Sequence, residues 1–191
     1  MKSTPPNNDA PSNKLPLSNT VQHAYIGLTN PKSPDNVGAV MRAAGCYNAS
    51  EVLYTGVRFD KAMSGGQKLH TDTKNVTKRI PLTSIDKFQS NQPENSTPVA
   101  IELVEGATSL VDFEHPDNAF YIFGPEDKSL DKDVVAWCEH VIYIPTVGCM
   151  NLAATVNVVL YDRMAKLGPK AQGDELILKS RDTNNRLKVT K

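Results

Sequence analysis

Residues 144–162, Ile-Pro-Thr-Val-Gly-Cys-Met-Asn-Leu-Ala-Ala-Thr-Val-Asn-Val-Val-Leu-Tyr-Asp, join the end of a short strand to an almost wholly apolar helix through a Pro/Gly turn. Proline has no backbone N–H to give to a sheet, and glycine reaches backbone angles closed to other residues, so the pair ends a strand sharply. The apolar run that follows is long enough for a helix and must be buried on most of its surface. Asn151 stands near its start. An amide beside so much apolar surface needs hydrogen-bond partners, and a structural role or a ligand-binding role would supply them equally well.

Upstream of this turn, 141–144 reads as the strand that feeds it, and a helix starting near Ser129 with Leu130, Val134 and Trp137 on one side precedes that strand. Residues 119–123 (Ala-Phe-Tyr-Ile-Phe) are apolar throughout, as a central parallel strand covered on both faces should be. They end in Gly124-Pro125-Glu126-Asp127. Further strands fall at 24–28, 51–55 and 99–103, with a weaker one at 76–80, a short helix within 61–69, a helical turn at 83–88 and a polar loop at 89–97. After the first strand, Asp35 or Asn36 can cap a helix whose Val37, Val40, Met41 and Ala44 repeat on one apolar face. Gly38 and Arg42 lie on another side with Gly45 nearby, which suggests bare backbone beneath one guanidinium. Strands alternating with helices define an α/β domain with a mainly parallel sheet and helices on both faces.

The domain covers 23–167. Residues 1–22, rich in Pro, Asn and Ser, read as a flexible arm, and 168–191 as a polar tail whose six basic and three acidic residues leave a local charge of +3. Lys plus Arg equals Asp plus Glu at 21 each, so no global field draws in nucleic acid, although a local patch still could. The three cysteines, Cys46, Cys138 and Cys149, lack metal-binding or disulfide spacing and suit a reducing cytoplasm. His23, His70, His115 and His140 also lack ligand spacing, so no metal is expected and surface or capping roles are assigned to them. No apolar run approaches the roughly 20 residues that span a bilayer.

In an open α/β sheet, ligands gather beyond the carboxyl ends of the strands, which directs attention to the loops after Leu28, Leu103, Phe123 and Ile144. Singly, each loop has an ordinary explanation as a helix cap or a turn. Together, Asn36-x-Gly38-x-x-x-Arg42, Phe123-Gly124-x-Glu126-x-x-Ser129-Leu130, and Ile144-Pro145 followed by Cys149-Met150-Asn151 and Tyr161-Asp162 resemble, in order and spacing, the three motifs of the SpoU/TrmH family of RNA ribose methyltransferases, within the SPOUT class. Ser129 stands where the family has glycine, and Cys149 where it has serine.

The resemblance, over 23–167, implies a C-terminal trefoil knot, S-adenosylmethionine as cofactor, an RNA substrate and a homodimer whose sites are completed by the partner. It implies catalytic roles for Arg42, Asn36, Glu126 and Asn151. Arg42 would act on the ribose 2′-hydroxyl or grip phosphate, Asn36 would orient the RNA or Arg42, Glu126 would fix the catalytic loop or neighbouring RNA-binding groups, and Asn151 would link cofactor to substrate. It implies cofactor contacts from Glu102, Leu103, Gly124, Ile144, Pro145, Cys149, Met150 and Leu152. Without an obvious RNA-binding domain at its front, the chain favours tRNA over rRNA. The competing expectation is a non-catalytic RNA-binding or assembly protein on the same fold.

Overall fold

The computed structural model describes residues 22–66, 69, 76–168 and 171–190. Of the expected arm only Gln22 lies among them, and His70 lies outside them. In chain order the elements are β1 (His23–Leu28), α1 (Pro34–Tyr47), β2 (Glu51–Tyr54), α2 (Arg58–Ser64), β3 (Leu82–Ser84), β4 (Thr97–Ile101), β5 (Thr108–Ser109), β6 (Asn118–Phe123), α3 (Lys132–Trp137), β7 (His140–Tyr143), α4 (Leu152–Leu167) and α5 (Gly173–Ser180). The strands form one sheet in the order β3-β2-β1-β6-β4-β7-β5, with every pairing parallel. The α/β class expected from the sequence is therefore observed.

Strand alternation divides the core between the two faces of the sheet. Ile26, Leu28, Tyr121, Phe123, Val99 and Ile142 point toward α1 and α4, where they meet Val37, Val40, Met41, Val156, Val159 and Leu160. Leu53, Ala100, Phe120 and Ile122 point the other way, onto Phe88, Leu130 and the apolar side of α3. Val37, Val40, Met41 and Ala44 are all fully buried, as their spacing required. The valines and the methionine each contribute about 1.5–3 kcal/mol by leaving water. The packing of α4 on α1 is thus the chief reason that the carboxyl ends of β1, β6 and β7 hold a fixed arrangement.

Several local expectations are corrected. The cap of α1 is Ser33, whose side chain accepts from Asn36 N, with Pro34 opening the helix; a proline is suited to that first position because its missing N–H would be unpaired there anyway. This leaves the Asn36 side-chain amide free for other partners. Val76–Lys78 is a 3-10 turn rather than a strand, and its Val76 lies where a Cβ on Gly45 would approach to 2.6 Å. Gly45 is therefore needed for close packing, and Gly38 is buried, so α1 has no bare binding face. The third strand is Leu82–Ser84, where a helical turn was expected, and α3 begins at Lys132 rather than Ser129. The two-residue β5 carries too little pattern to be read from sequence, and the polar tail contains a helix, α5, with Asp174 and Glu175 in its first turn and Lys179 in its last.

His115, expected at the surface, is buried. Its Nδ1 lies 2.6 Å from the Tyr121 hydroxyl and its Nε2 2.9 Å from Asp162 Oδ2. Beside it the buried Arg163 donates to the carbonyls of Pro116, Asp117 and His23 at 2.5, 2.5 and 3.2 Å and to the Tyr121 hydroxyl at 3.3 Å. Lys166 donates to Asp162 at 2.8 Å and to the carbonyls of Leu110 and Phe113. Burial holds the His115 imidazole below its ordinary value, against the opposing pull of Asp162.

Candidate active site at the carboxyl ends of the strands

Three loops converge above β1, β6 and β7, joined by a chain of side-chain hydrogen bonds. Asn151 is the N-cap of α4 rather than a residue within it: its Oδ1 accepts from the backbone N–H of Ala153 at 2.9 Å and of Ala154 at 3.4 Å. Capping uses the oxygen and leaves the NH2 group, which donates to Asn36 Oδ1 at 3.0 Å. The Asn36 NH2 group in turn donates to Glu126 Oε1 at 3.1 Å. Glu126 also accepts from the backbone N–H of Lys32 at 2.9 Å and of Ser33 at 3.1 Å, so its carboxylate straps the loop after β6 to the loop before α1. Its side chain is only 16% exposed. Partial burial pushes its carboxyl up, but the hydrogen bonds from backbone groups and from Asn36 outweigh that and hold it below the usual carboxylate range.

Beside this chain of amides lies a cavity of about 560 Å³, within the roughly 300–1,000 Å³ of small-molecule sites. Glu102, Leu103, Gly124, Ile144, Cys149, Met150 and Leu152 all line it, together with residues 125–129 of the loop after β6. Pro145 is exposed in the turn and does not line it. The Glu102 carboxylate bridges two loops. One oxygen accepts from Leu103 N at 3.1 Å and the other from Leu130 N at 2.8 Å, which ties the loop after β4 to the end of the loop after β6. A Cβ on Gly124 would make only ordinary contacts, at 3.6 Å, with Glu102 Oε2, Leu130 N and the Lys128 carbonyl, so protein packing does not require this glycine, which lines the cavity. With Leu103 55% exposed at the rim and the apolar Ile144, Met150 and Leu152 behind it, the wall fits a flat, partly apolar group such as adenine.

Arg42 is elsewhere. It is exposed, six residues along α1 from Asn36, or about 9 Å at 1.5 Å per residue, and makes no hydrogen bond or ion pair with another described residue. Cys149 is exposed at the cavity edge. Sequence reasoning missed Arg58, whose side chain joins Asn30 to Asp127 over the same loops. Nothing in its spacing marks it. Among the described residues no cluster of His, Cys, Asp and Glu could hold a metal ion, and no helix is long and apolar enough to cross a membrane.

The fold and these motifs agree with what known proteins show. The model of the SpoU rRNA Methylase family matches residues 23–161, and the chain belongs to that family. A comparison with curated protein sequences finds no match. Among solved structures, one described as giving insight into "the 2-OH methylation of C/U34 on tRNA" superposes with a TM-score of 0.65 at 22% identity, covering 78% of this chain and 98% of that one. The SpoU methyltransferase AviRb from Streptomyces viridochromogenes, in complex with AdoMet, gives 0.63 at 17% identity, with 78% and 59% covered. The TrmH/SpoU tRNA modifying enzyme of A. aeolicus gives 0.62 at 16% identity, with 76% and 75% covered. The chain thus spans about three fifths of AviRb's length.

Proposed function

We propose that this chain transfers a methyl group to a ribose 2′-hydroxyl of RNA, with tRNA ahead of rRNA as the substrate class. The observation that carries the reading is the Glu126–Asn36–Asn151 chain set against a cavity whose apolar wall of Ile144, Met150 and Leu152 suits S-adenosylmethionine. The structural relative described by tRNA 2-OH methylation, almost all of which is covered, is what favours tRNA. The strand order, with β7 between β4 and β5, is compatible with the knotted C-terminal segment that the family resemblance implies.

S-adenosylmethionine in the cavity supplies an activated methyl group, and the remaining work is alignment and loss of the hydroxyl proton. Ile144, Met150 and Leu152 would hold the apolar part of the cofactor, and main-chain groups of Glu102, Leu103 and Gly124 would supply polar contacts at its edge, whereas Pro145, expected among them, lies outside the cavity lining. Asn36 and Asn151 hold the substrate side in register, and Glu126 fixes the loop between them. Arg42 enters from a second copy of the chain. Its guanidinium stays charged at neutral pH, so it grips an RNA phosphate or stabilises the developing alkoxide rather than removing a proton. Two observations favour the second copy: Arg42 is exposed without a hydrogen bond to another described residue, six residues along α1 from Asn36, and α4 exposes Tyr161 at 59% near Tyr47 of α1.

The test is transfer of labelled methyl groups from S-adenosylmethionine to total tRNA and rRNA by the purified protein. Arg42→Ala is expected to abolish transfer with the melting temperature unchanged, and mixing Arg42→Ala with Asn151→Ala chains is expected to restore part of it through mixed dimers. Full activity in Arg42→Ala would overturn the assigned role. Cofactor binding with no transfer to any RNA would favour the non-catalytic reading, to which the exposed Cys149 in place of serine lends its support.

A further inference from the structure

We propose that Arg58 is a positioning residue for the cofactor wall, clamping together three loops at the carboxyl end of the sheet; this rests on reading the cavity as the cofactor site. Arg58 opens α2, and its side chain is 27% exposed. Nε and Nη2 both donate to the Asn30 carbonyl, at 2.9 and 2.6 Å, while Nη1 donates to both oxygens of Asp127, at 2.8 and 2.9 Å. Nη2 also lies 3.9 Å from Glu126 Oε2. One guanidinium therefore joins the loop after β1, the loop after β2 and the loop after β6. A planar fork can do this because its donors diverge in fixed directions, which a lysine ammonium cannot reproduce.

The anchor on the other side is itself built rigidly. Asn30 is left-handed at φ 41°, its N–H donates to Thr55 Oγ1 at 3.3 Å, and its Oδ1 accepts from Arg58 N at 3.3 Å. Gly56, at φ 78°, leaves the space that the Asn30 amide fills; a Cβ there would come within 2.3 Å of Asn30 Oδ1. The Asn30 carbonyl is thus presented to the Arg58 side chain by Thr55, by the space at Gly56 and by the Arg58 backbone itself. At the far end of the fork, the Arg58 guanidinium holds the Asp127 carboxyl below its usual range. Asp127 belongs to the run 124–129, every residue of which lines the cavity. Glu126 has the Lys32 and Ser33 amides and Asn36 to hold it, whereas the only described side chain hydrogen-bonded to Asp127 is Arg58.

Calorimetric titration of S-adenosylmethionine into the full-length protein tests this, with thermal melts and hydrogen exchange at the Leu130 amide measured alongside. Arg58→Ala and Asp127→Asn are each expected to weaken binding about tenfold, or roughly 1.4 kcal/mol. The double variant is expected to be no weaker than Arg58→Ala, because both changes break one contact. Arg58→Lys is expected to recover part of the loss, and apo melting temperatures should stay close to that of the parent. Affinity within twofold of the parent in Arg58→Ala overturns the proposal, as does a double variant whose losses simply add. If Arg58→Ala fails to fold, unchanged affinity in Asp127→Asn overturns it. If the parent protein itself does not bind S-adenosylmethionine, the cavity has been misread, and exchange alone decides the clamp: faster exchange at Leu130 in Asp127→Asn supports it, and unchanged exchange overturns it.

Discussion

At the amino ends of β1 and β6 Arg163 and His115 are buried with their hydrogen bonds turned into the protein, whereas at the carboxyl ends the polar groups are half exposed and only partly used. Arg163 and His115 are each 7% exposed and point at carbonyls, a phenol and a carboxylate within the protein. Asn36, Glu126 and Asn151 also form a connected chain, but with solvent and a cavity on one side. The first network is a seam that closes the floor of the sheet. The second is a surface held ready for something that is not protein. Both use few residues, and they differ in whether any bonding capacity is left over.

Arg163→Ala attacks this contrast most directly. It should lower stability by about 3 kcal/mol or more, since a buried guanidinium with four hydrogen bonds is lost at about 1.5–3 kcal/mol for each bond to a charged group. Urea unfolding checks this, and a loss under about 1 kcal/mol would mean that the floor is not the seam described. Acid should come next and act on the two ends in sequence. The His115 folded-state value lies below its ordinary 6.5, so its contribution is complete above pH 6.5 and is lost as pH falls below it, because the unfolded chain takes up the proton first. Glu126 also has a depressed value, so its contribution is present above its ordinary 4.5 and is lost only as pH falls further. Stability measured against pH should show two steps, with the upper one missing in His115→Asn.

Smaller effects refine the contrast at the carboxyl end. Asn151→Ala should cost about 1 kcal/mol as the loss of a helix cap, while its effect on methyl transfer should be far larger than that stability change. Denaturation and activity measured on the same preparation separate the two. Cys149→Ser should shift stability by less than about 0.5 kcal/mol, because the site is exposed, and should raise the transfer rate about twofold, because a hydroxyl bonds more strongly than a thiol. An unchanged rate would make the cysteine a neutral replacement.

The sheet was legible because β6 is apolar at every position after Asn118 and α1 repeats its apolar residues at helical spacing, so pattern and burial give the same answer. Val76–Lys78 misled because a single buried valine in a tight turn looks locally like the start of a strand. The two-residue β5 is defined by its neighbour β7 and not by its own residues. At the site, the order of three motifs brought Asn36, Glu126 and Asn151 onto one chain of hydrogen bonds. Arg42 was legible only as a position six residues beyond Asn36 on α1, since its exposure and lack of a hydrogen-bond partner among the described residues depend on the packing of the rest of the chain. Arg58 was not legible, since its partners lie 28 and 69 residues away and meet it only when the loops close. His115 was misread for the same reason: burial of a histidine depends on an aspartate 47 residues further on.

In the chain from α4 to Glu126 every donation points the same way. The first-turn amides of α4 donate to Asn151, Asn151 to Asn36, and Asn36 to the carboxylate. Neither amide can turn over without setting donor against donor. The line therefore has a polarity, with a helix terminus at one end and a negative charge at the other. A proton on Glu126 would weaken the terminal acceptor, and each amide upstream would register the change. The side-chain NH2 resonances of Asn36 and Asn151 would then act as paired gauges of the ionisation of Glu126, readable in solution without any substrate.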